Sequence, residues 1–196
     1  MSDIPVISVI GVEAADKAFA TLTAAFIADP VMRWIYPAAE DYLDAYPRFL
    51  KAFCGSGIAD GTAFADETLS GACIWLAPGS RVSDGAVAAV VKETVAPERL
   101  ETFGAITEQI DQYHPHDEPL WYLPCIGVDA AGQGKGVGSA LMKHALRLCD
   151  EQGVRAYLES SNPANISLYE RHGFEVMGRI QAGSAPPITP MIRERA

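Results

Sequence analysis

Asp129-Ala-Ala-Gly132-Gln133-Gly134-Lys135-Gly136-Val137-Gly138-Ser139 follows the apolar and aromatic run Leu120-Trp-Tyr-Leu-Pro-Cys-Ile-Gly-Val128 and leads into a helical stripe. The run reads as a buried strand, because a strand covered on both faces needs no polar alternation. The stripe of Leu141, Ala145 and Leu148 predicts a helix over Ser139–Gln152, with Gly153 as its C-terminal cap. Between the two, glycines let the backbone pass close to a ligand. The first free N–H groups of the helix then point outward with the positive end of its dipole. That geometry suits a pyrophosphate.

Three ligand readings compete, beside a fourth in which the glycines merely permit tight packing of strand on helix. A dinucleotide loop needs G-x-G-x-x-G, but the sixth position is Ser139 counted from Gly134 and Val137 counted from Gly132. A P-loop needs glycine five residues before Gly134-Lys135, where Asp129 stands. The third reading fits. Gln133-x-x-Gly136-x-Gly138 resembles the acyl-coenzyme A pyrophosphate loop of the GNAT family of N-acetyltransferases. Trp121 to Val128 resembles that family's central strand, and Asn165-Ile-Ser-Leu-Tyr169-Glu-Arg-His-Gly173-Phe174 is similar to its N-x-x-x-Y-x-x-x-G-F ending. Two motifs in the right order are more specific than either alone, and the likeness runs over residues 120–180.

Working outward, strands are predicted at Ile4–Val12, Thr62–Ala65, Gly71–Ala77, Val154–Glu159 and Phe174–Ile180, with a last edge strand at Thr189–Arg193. Helices are predicted at Ala15–Ala28, stopped by Asp29-Pro30, at Asp41–Phe53, across Ser83–Gln112 with a break at Pro97, and at Pro163–His172. Asn162 is that last helix's expected N-cap, with Pro163 at its first position. Alternating strands and helices give an α/β sheet with at least one crossover. The resemblance sharpens this to one domain over residues 1–196: a mixed, mostly antiparallel central sheet flanked by helices (an α+β arrangement). Residues 83–112 would be a variable helical wall on the acceptor side.

The resemblance implies an acyltransferase that moves an acetyl group from acetyl-coenzyme A directly to a primary amine of a small molecule or protein, with no metal. The amides of Gln133, Gly134, Lys135, Gly136, Val137, Gly138 and Ser139 would hold the pyrophosphate. The backbone of Ile126, Gly127 and Val128 would pair with the pantetheine amides as an added strand does, and an N–H there would stabilise an oxyanion. Asn165 matches the family's cofactor-contacting asparagine, and Tyr169 matches the tyrosine that protonates the departing thiolate. Four residues apart, they share a helix face. A base must take a proton from the ammonium. His114, His116, Glu118 and Glu159 are the candidates, with His114 and Glu118 placed in the site because their loop precedes the central strand. His144 and His172 read as structural. No Ser/His/Asp or Cys/His arrangement suggests a covalent acyl-enzyme. The alternatives are a non-catalytic acyl-coenzyme A binding or sensing module of the same fold and a nucleotide-dependent oxidoreductase.

The 196 residues include 15 basic and 25 acidic side chains, a net charge of −10 that repels phosphate backbones and anionic lipid. Nucleic acid and membrane are therefore excluded as partners. Cys54, Cys73, Cys125 and Cys149 form no metal-like or C-x-x-C spacing, the start shows no signal-peptide pattern, and no run is long enough to span a bilayer. These features predict a reduced, cytoplasmic protein. The edge strand at Thr189–Arg193 would suit a homodimer. A polyanionic cofactor also requires the acidic surplus to lie away from the loop, and on the acceptor side it would favour a cationic amine.

Overall fold

The computed structural model describes residues 5–80 and 82–195, so the predicted start of the first strand at Ile4 lies outside the described residues. Seven strands are described: β1 (Ile7–Val9), β2 (Ala63–Asp66), β3 (Gly71–Leu76), β4 (Leu120–Val128), β5 (Arg155–Ser160), β6 (Glu175–Val176) and β7 (Thr189–Arg193). They form one sheet in the order β1-β2-β3-β4-β5-β7-β6. Every neighbouring pair is antiparallel except β4 and β5. A parallel pair needs a crossover, and helix α7 (Val137–Gln152) supplies it. The mixed, mostly antiparallel sheet agrees with the sequence.

Side-chain alternation sorts the sheet into two cores. Phe64, Cys73 and Trp75 face α7, while Ala63, Ala65, Ala72 and Ile74 face the helices of the first half. Those are α1 (Ala15–Ala25), α2 (Pro30–Ile35), α3 (Ala39–Cys54), the short α4 (Ser56–Ala59), α5 (Asp84–Thr94) and α6 (Pro97–Tyr113). In α3 the buried Tyr42, Ala45, Tyr46 and Leu50 recur at helical steps. Residues 83–112 thus divide into α5 and α6, with Pro97 opening the second helix.

Three departures from the sequence reading have local causes. Helix α1 already ends at Ala25, short of the predicted Ala28, and Asp29-Pro30 instead starts the next helix: the Asp29 carboxylate accepts from the amides of Val31 and Met32, and Pro30 occupies the first turn. The Phe174–Ile180 strand shrinks to β6 and one isolated bridge between Ile180 and Ile188. Finally, β7 is not an edge strand. The chain turns back after β6 and inserts β7 between β5 and β6, so the edge is β6 and the stated basis for a homodimer falls.

The β2–β3 turn is tied by one carboxylate. Asp66 accepts from the Gly71 amide at 2.7 Å, the Ser70 hydroxyl at 3.1 Å, and both the amide and hydroxyl of Thr68. Burial alone would raise its pKa, but these donors outweigh burial and hold it below the ordinary 3.8. The folded state therefore binds this proton less readily than the unfolded chain, and the contribution is present above pH 3.8 and lost as the pH falls through the folded value. Asp66→Ala is expected to cost about 2 kcal/mol in denaturant unfolding at neutral pH. A midpoint unchanged from the parent would deny the turn this role.

Candidate active site

The sheet opens where β4 and β5 diverge. Only Leu120, Trp121 and Tyr122 of the nine-residue β4 pair with β5. Beyond Tyr122, the described residues supply no ladder partner on that side. A register shift against β3 falls in the same stretch, since Ile74 pairs with Cys125 but Leu76 pairs with Tyr122. The extra residue flips the alternation: Trp121 and Leu123 pack on the α7 side before it, and Ile126 and Val128 after it. Pro124, which has no N–H to give a ladder, sits within the shift. Helix α1 presses closely on the opened strand, because a Cβ at Gly127 would lie 2.6 Å from that of Ala25.

A cavity of about 580 Å³ fills the opening. Its walls include Ile126, Gly127 and Val128, the loop from Gly132 to Ser139 except Lys135, and Asn165 and Tyr169. The loop's shape follows from its sequence. Asp129 accepts from the amides of Gly132 and Gln133, and the Gln133 side chain returns to the Val128 carbonyl at 3.2 Å. Gly134 and Gly136 then take φ of +75° and +82°, values that side chains resist, with nothing within 4 Å of where a Cβ would stand. Gly136 caps the 16-residue α7, and no side chain caps that N-terminus. The helix starts two residues earlier than predicted, so its first amides belong to the glycine loop itself.

Tyr169 lies in α8 (Ile166–Glu170), entered through a 3₁₀ turn at Pro163–Asn165 that Asn162 caps as expected. It is only 6% exposed yet lines the cavity. Burial first, then Cys125 and Asp29, push its phenol well above the ordinary range, so it remains a neutral proton donor. Asp29 lines the same cavity, with one oxygen capping α2 and the other accepting from Ser161 at 2.6 Å.

A second cavity of about 560 Å³ lies against α3, α5, α6 and β4, and His114, His116, Glu118 and Tyr122 are in its wall. His114, the C-cap just past α6, turns Nδ1 toward Glu159 Oε1 at 3.8 Å. The other Glu159 oxygen accepts from the Tyr122 hydroxyl at 2.7 Å. The Glu159 side chain is 8% exposed. Burial, then this carboxylate, drives both Tyr122 and Tyr157 upward, so neither phenol ionises near neutrality. The His114 ring meets Tyr122 and Tyr157 edge-on, with centroids at 5.1 and 4.9 Å. Tyr122 and Ile126 share β4 four residues apart, so the two cavities meet the same strand about 13 Å apart.

Comparison with known proteins now bears on this geometry. The model of the acetyltransferase (GNAT) family matches residues 63–174, more than half of the chain. The chain belongs to the GNAT acetyltransferase family. A Schizosaccharomyces pombe protein named as an uncharacterized N-acetyltransferase is 27% identical over 201 residues, covering 93% of this chain and 81% of that one. Two solved structures share the fold. One is a Corynebacterium glutamicum histone acetyltransferase and related acetyltransferase (TM-score 0.70, 22% identity, 99% and 98% of the two chains). The other is arylalkylamine N-acetyltransferase 2 of Aedes aegypti (TM-score 0.69, 11% identity, 99% and 100%). The protein is thus an acyltransferase that moves an acetyl group to an amine, and the sensing-module reading is not favoured.

Within this GNAT acetyltransferase the loop residues, Asn165 and Tyr169 gather around the first cavity, with two details the sequence hid. Lys135 is exposed and outside the wall. The Ser139 hydroxyl is 3.0 Å from His172 Nε2. Burial, then Lys143, Arg171 and Arg193, hold His172 below 6.5, so its ring is neutral and links the start of α7 to the turn after α8. Of the base candidates, His114 and Glu159 come together. His116 pairs with Asp111 at 3.3 Å, and Glu118 faces Arg155 at 3.6 Å and Arg195 at 3.3 Å. The Asp-Pro step was the one signal that placed Asp29. Nothing in the sequence joins His114 to Glu159 or Ser139 to His172.

Trp75 and Trp121 are core residues, and all four cysteines are buried free thiols. Among the described residues no helix is long and apolar enough to cross a membrane.

Proposed function

We propose that the first cavity is the acetyl-coenzyme A slot and that the second admits the amine. The unpaired edge of β4, running into the uncapped N-terminus of α7, carries this reading. The amides from Gly134 to Ser139 offer donors and a positive dipole end to a diphosphate, and the two left-handed glycines leave the room it needs. The freed backbone of Ile126 to Val128 offers strand-like hydrogen bonds to the pantetheine amides, and Asn165 adds a side-chain contact. When bound, acetyl-coenzyme A supplies an activated thioester carbonyl.

The chain's own residues supply positioning and proton movement. His114, with Nδ1 held toward the Glu159 carboxylate, keeps Nε2 as the basic nitrogen for the acceptor ammonium, and Glu159 would stabilise the imidazolium that results. Tyr169 gives its proton to the departing thiolate. Glu118 is left as a rim residue, because two guanidiniums already occupy its carboxylate. The residues 1–196 would work as one unit, in a reducing compartment such as the cytoplasm, a placement that four buried free thiols support.

A panel of amines with acetyl-coenzyme A, followed by release of free thiol, tests the activity. Tyr169→Phe is expected to lower kcat about 100-fold with coenzyme A affinity unchanged, the usual weight of one proton donor. Undiminished kcat would remove Tyr169 from the acid role.

A further inference from the structure

We infer that the acceptor is a primary monoamine on a compact apolar body, an aryl- or branched alkylamine, rather than a polyamine or an amine bearing an anionic group. The inference rests on the second cavity being the acceptor side. Much of its wall is apolar: Phe49, Phe53, Val87, Phe103, Ile110 and Tyr122. Phe49 stacks on Phe53 at 5.4 Å between centroids, and Phe53 meets Tyr122 edge-on at 6.2 Å. Such faces accept an aromatic or branched body and, at the floor, the adjoining ammonium.

The charges decide how many cations fit. At the rim, Asp111 is paired with His116 and Glu118 with two arginines, while Asp84 sits in the first turn of α5 beside that helix's positive end. Glu159 differs. Its Oε1 is buried and accepts no hydrogen bond among the described residues, directly behind His114 and Tyr122. A buried negative charge therefore backs the floor behind His114 and Tyr122, and aromatic carbon lines the way to it. A second ammonium held between the floor and the rim would lose water against the aromatic walls without gaining a partner. A carboxylate or phosphate on the acceptor would lose water against the same aromatic walls and stand near the Glu159 charge.

The test compares 2-phenylethylamine, 3-methylbutylamine, 1,4-diaminobutane and glutamate, first by thiol release with acetyl-coenzyme A and then by calorimetric binding to the protein without it. The two monoamines are expected to exceed the diamine in kcat/KM and in affinity by about 100-fold, the cost of stripping an unpaired ammonium. Phe53→Ala should weaken 2-phenylethylamine binding about tenfold, and Gly136→Glu should leave that binding intact. Preference for the diamine or glutamate in either measurement overturns the acceptor class while leaving acetyl transfer standing. Absence of monoamine binding overturns it too. Monoamine binding in a protein that fails to bind coenzyme A would instead sink the assignment of the first cavity and support this one.

Discussion

Gly136→Glu is expected to raise the Kd for coenzyme A at least about 100-fold, with little change in the melting temperature. The backbone at Gly136 has φ of +82°, so any side chain there carries a strain of about 1 kcal/mol. That cost is modest, and no protein atom lies within 4 Å of the new Cβ, so the fold has room for the residue. The damage falls on the ligand. A carboxylate at the N-cap of α7 would satisfy the same free amides that a diphosphate needs, and would repel the diphosphate as well. Gly136→Asn separates the two effects, since asparagine tolerates a left-handed backbone without adding charge. Its affinity should stay within about tenfold of the parent. Calorimetric titration with coenzyme A reads both variants, and parent-like affinity in Gly136→Glu would remove the loop from the cofactor site.

The second large effect concerns the proton taken from the amine. His114→Ala should lower kcat/KM by about 100- to 1,000-fold at neutral pH with coenzyme A binding unchanged, because a positioned base contributes on that scale. The loss should shrink as the pH rises, since deprotonated amine then reaches the site without help. Glu159→Gln keeps the shape and the Tyr122 contact but removes the charge behind the imidazole, and about a tenfold loss is expected for that variant. A His114→Ala enzyme with an unaltered pH–rate profile would transfer the base role elsewhere.

Local backbone was legible wherever a residue type constrains it. The strand at Leu120–Val128 matches the predicted bounds, and Gly153 closes α7 in a left-handed conformation as a terminal glycine should. Asn162 caps the turn that carries Asn165 and Tyr169. The glycine loop was readable because its shape is mostly a backbone matter, fixed by glycines within a few residues of one another. The hidden part was long-range. The sheet's opening depends on β4 and β5 parting after three residue pairs, and β7 becomes internal only because β6 pairs beside it.

The sequence by itself determined a family, a glycine loop between a buried strand and a helix, and an acidic chain. Tertiary structure decided where part of the charge went: Asp84, Asp111 and Glu118 stand at the second cavity, while Asp29 and Arg171 line the first. It also separated the four base candidates, of which only His114 and Glu159 face each other. His114 and Glu159 are separated by a strand, a loop and a crossover helix, and they come to 3.8 Å where the His114 ring meets Tyr122 and Tyr157 of the parallel pair. Local propensity cannot encode that distance, because it is set by sheet register and helix packing over the whole chain.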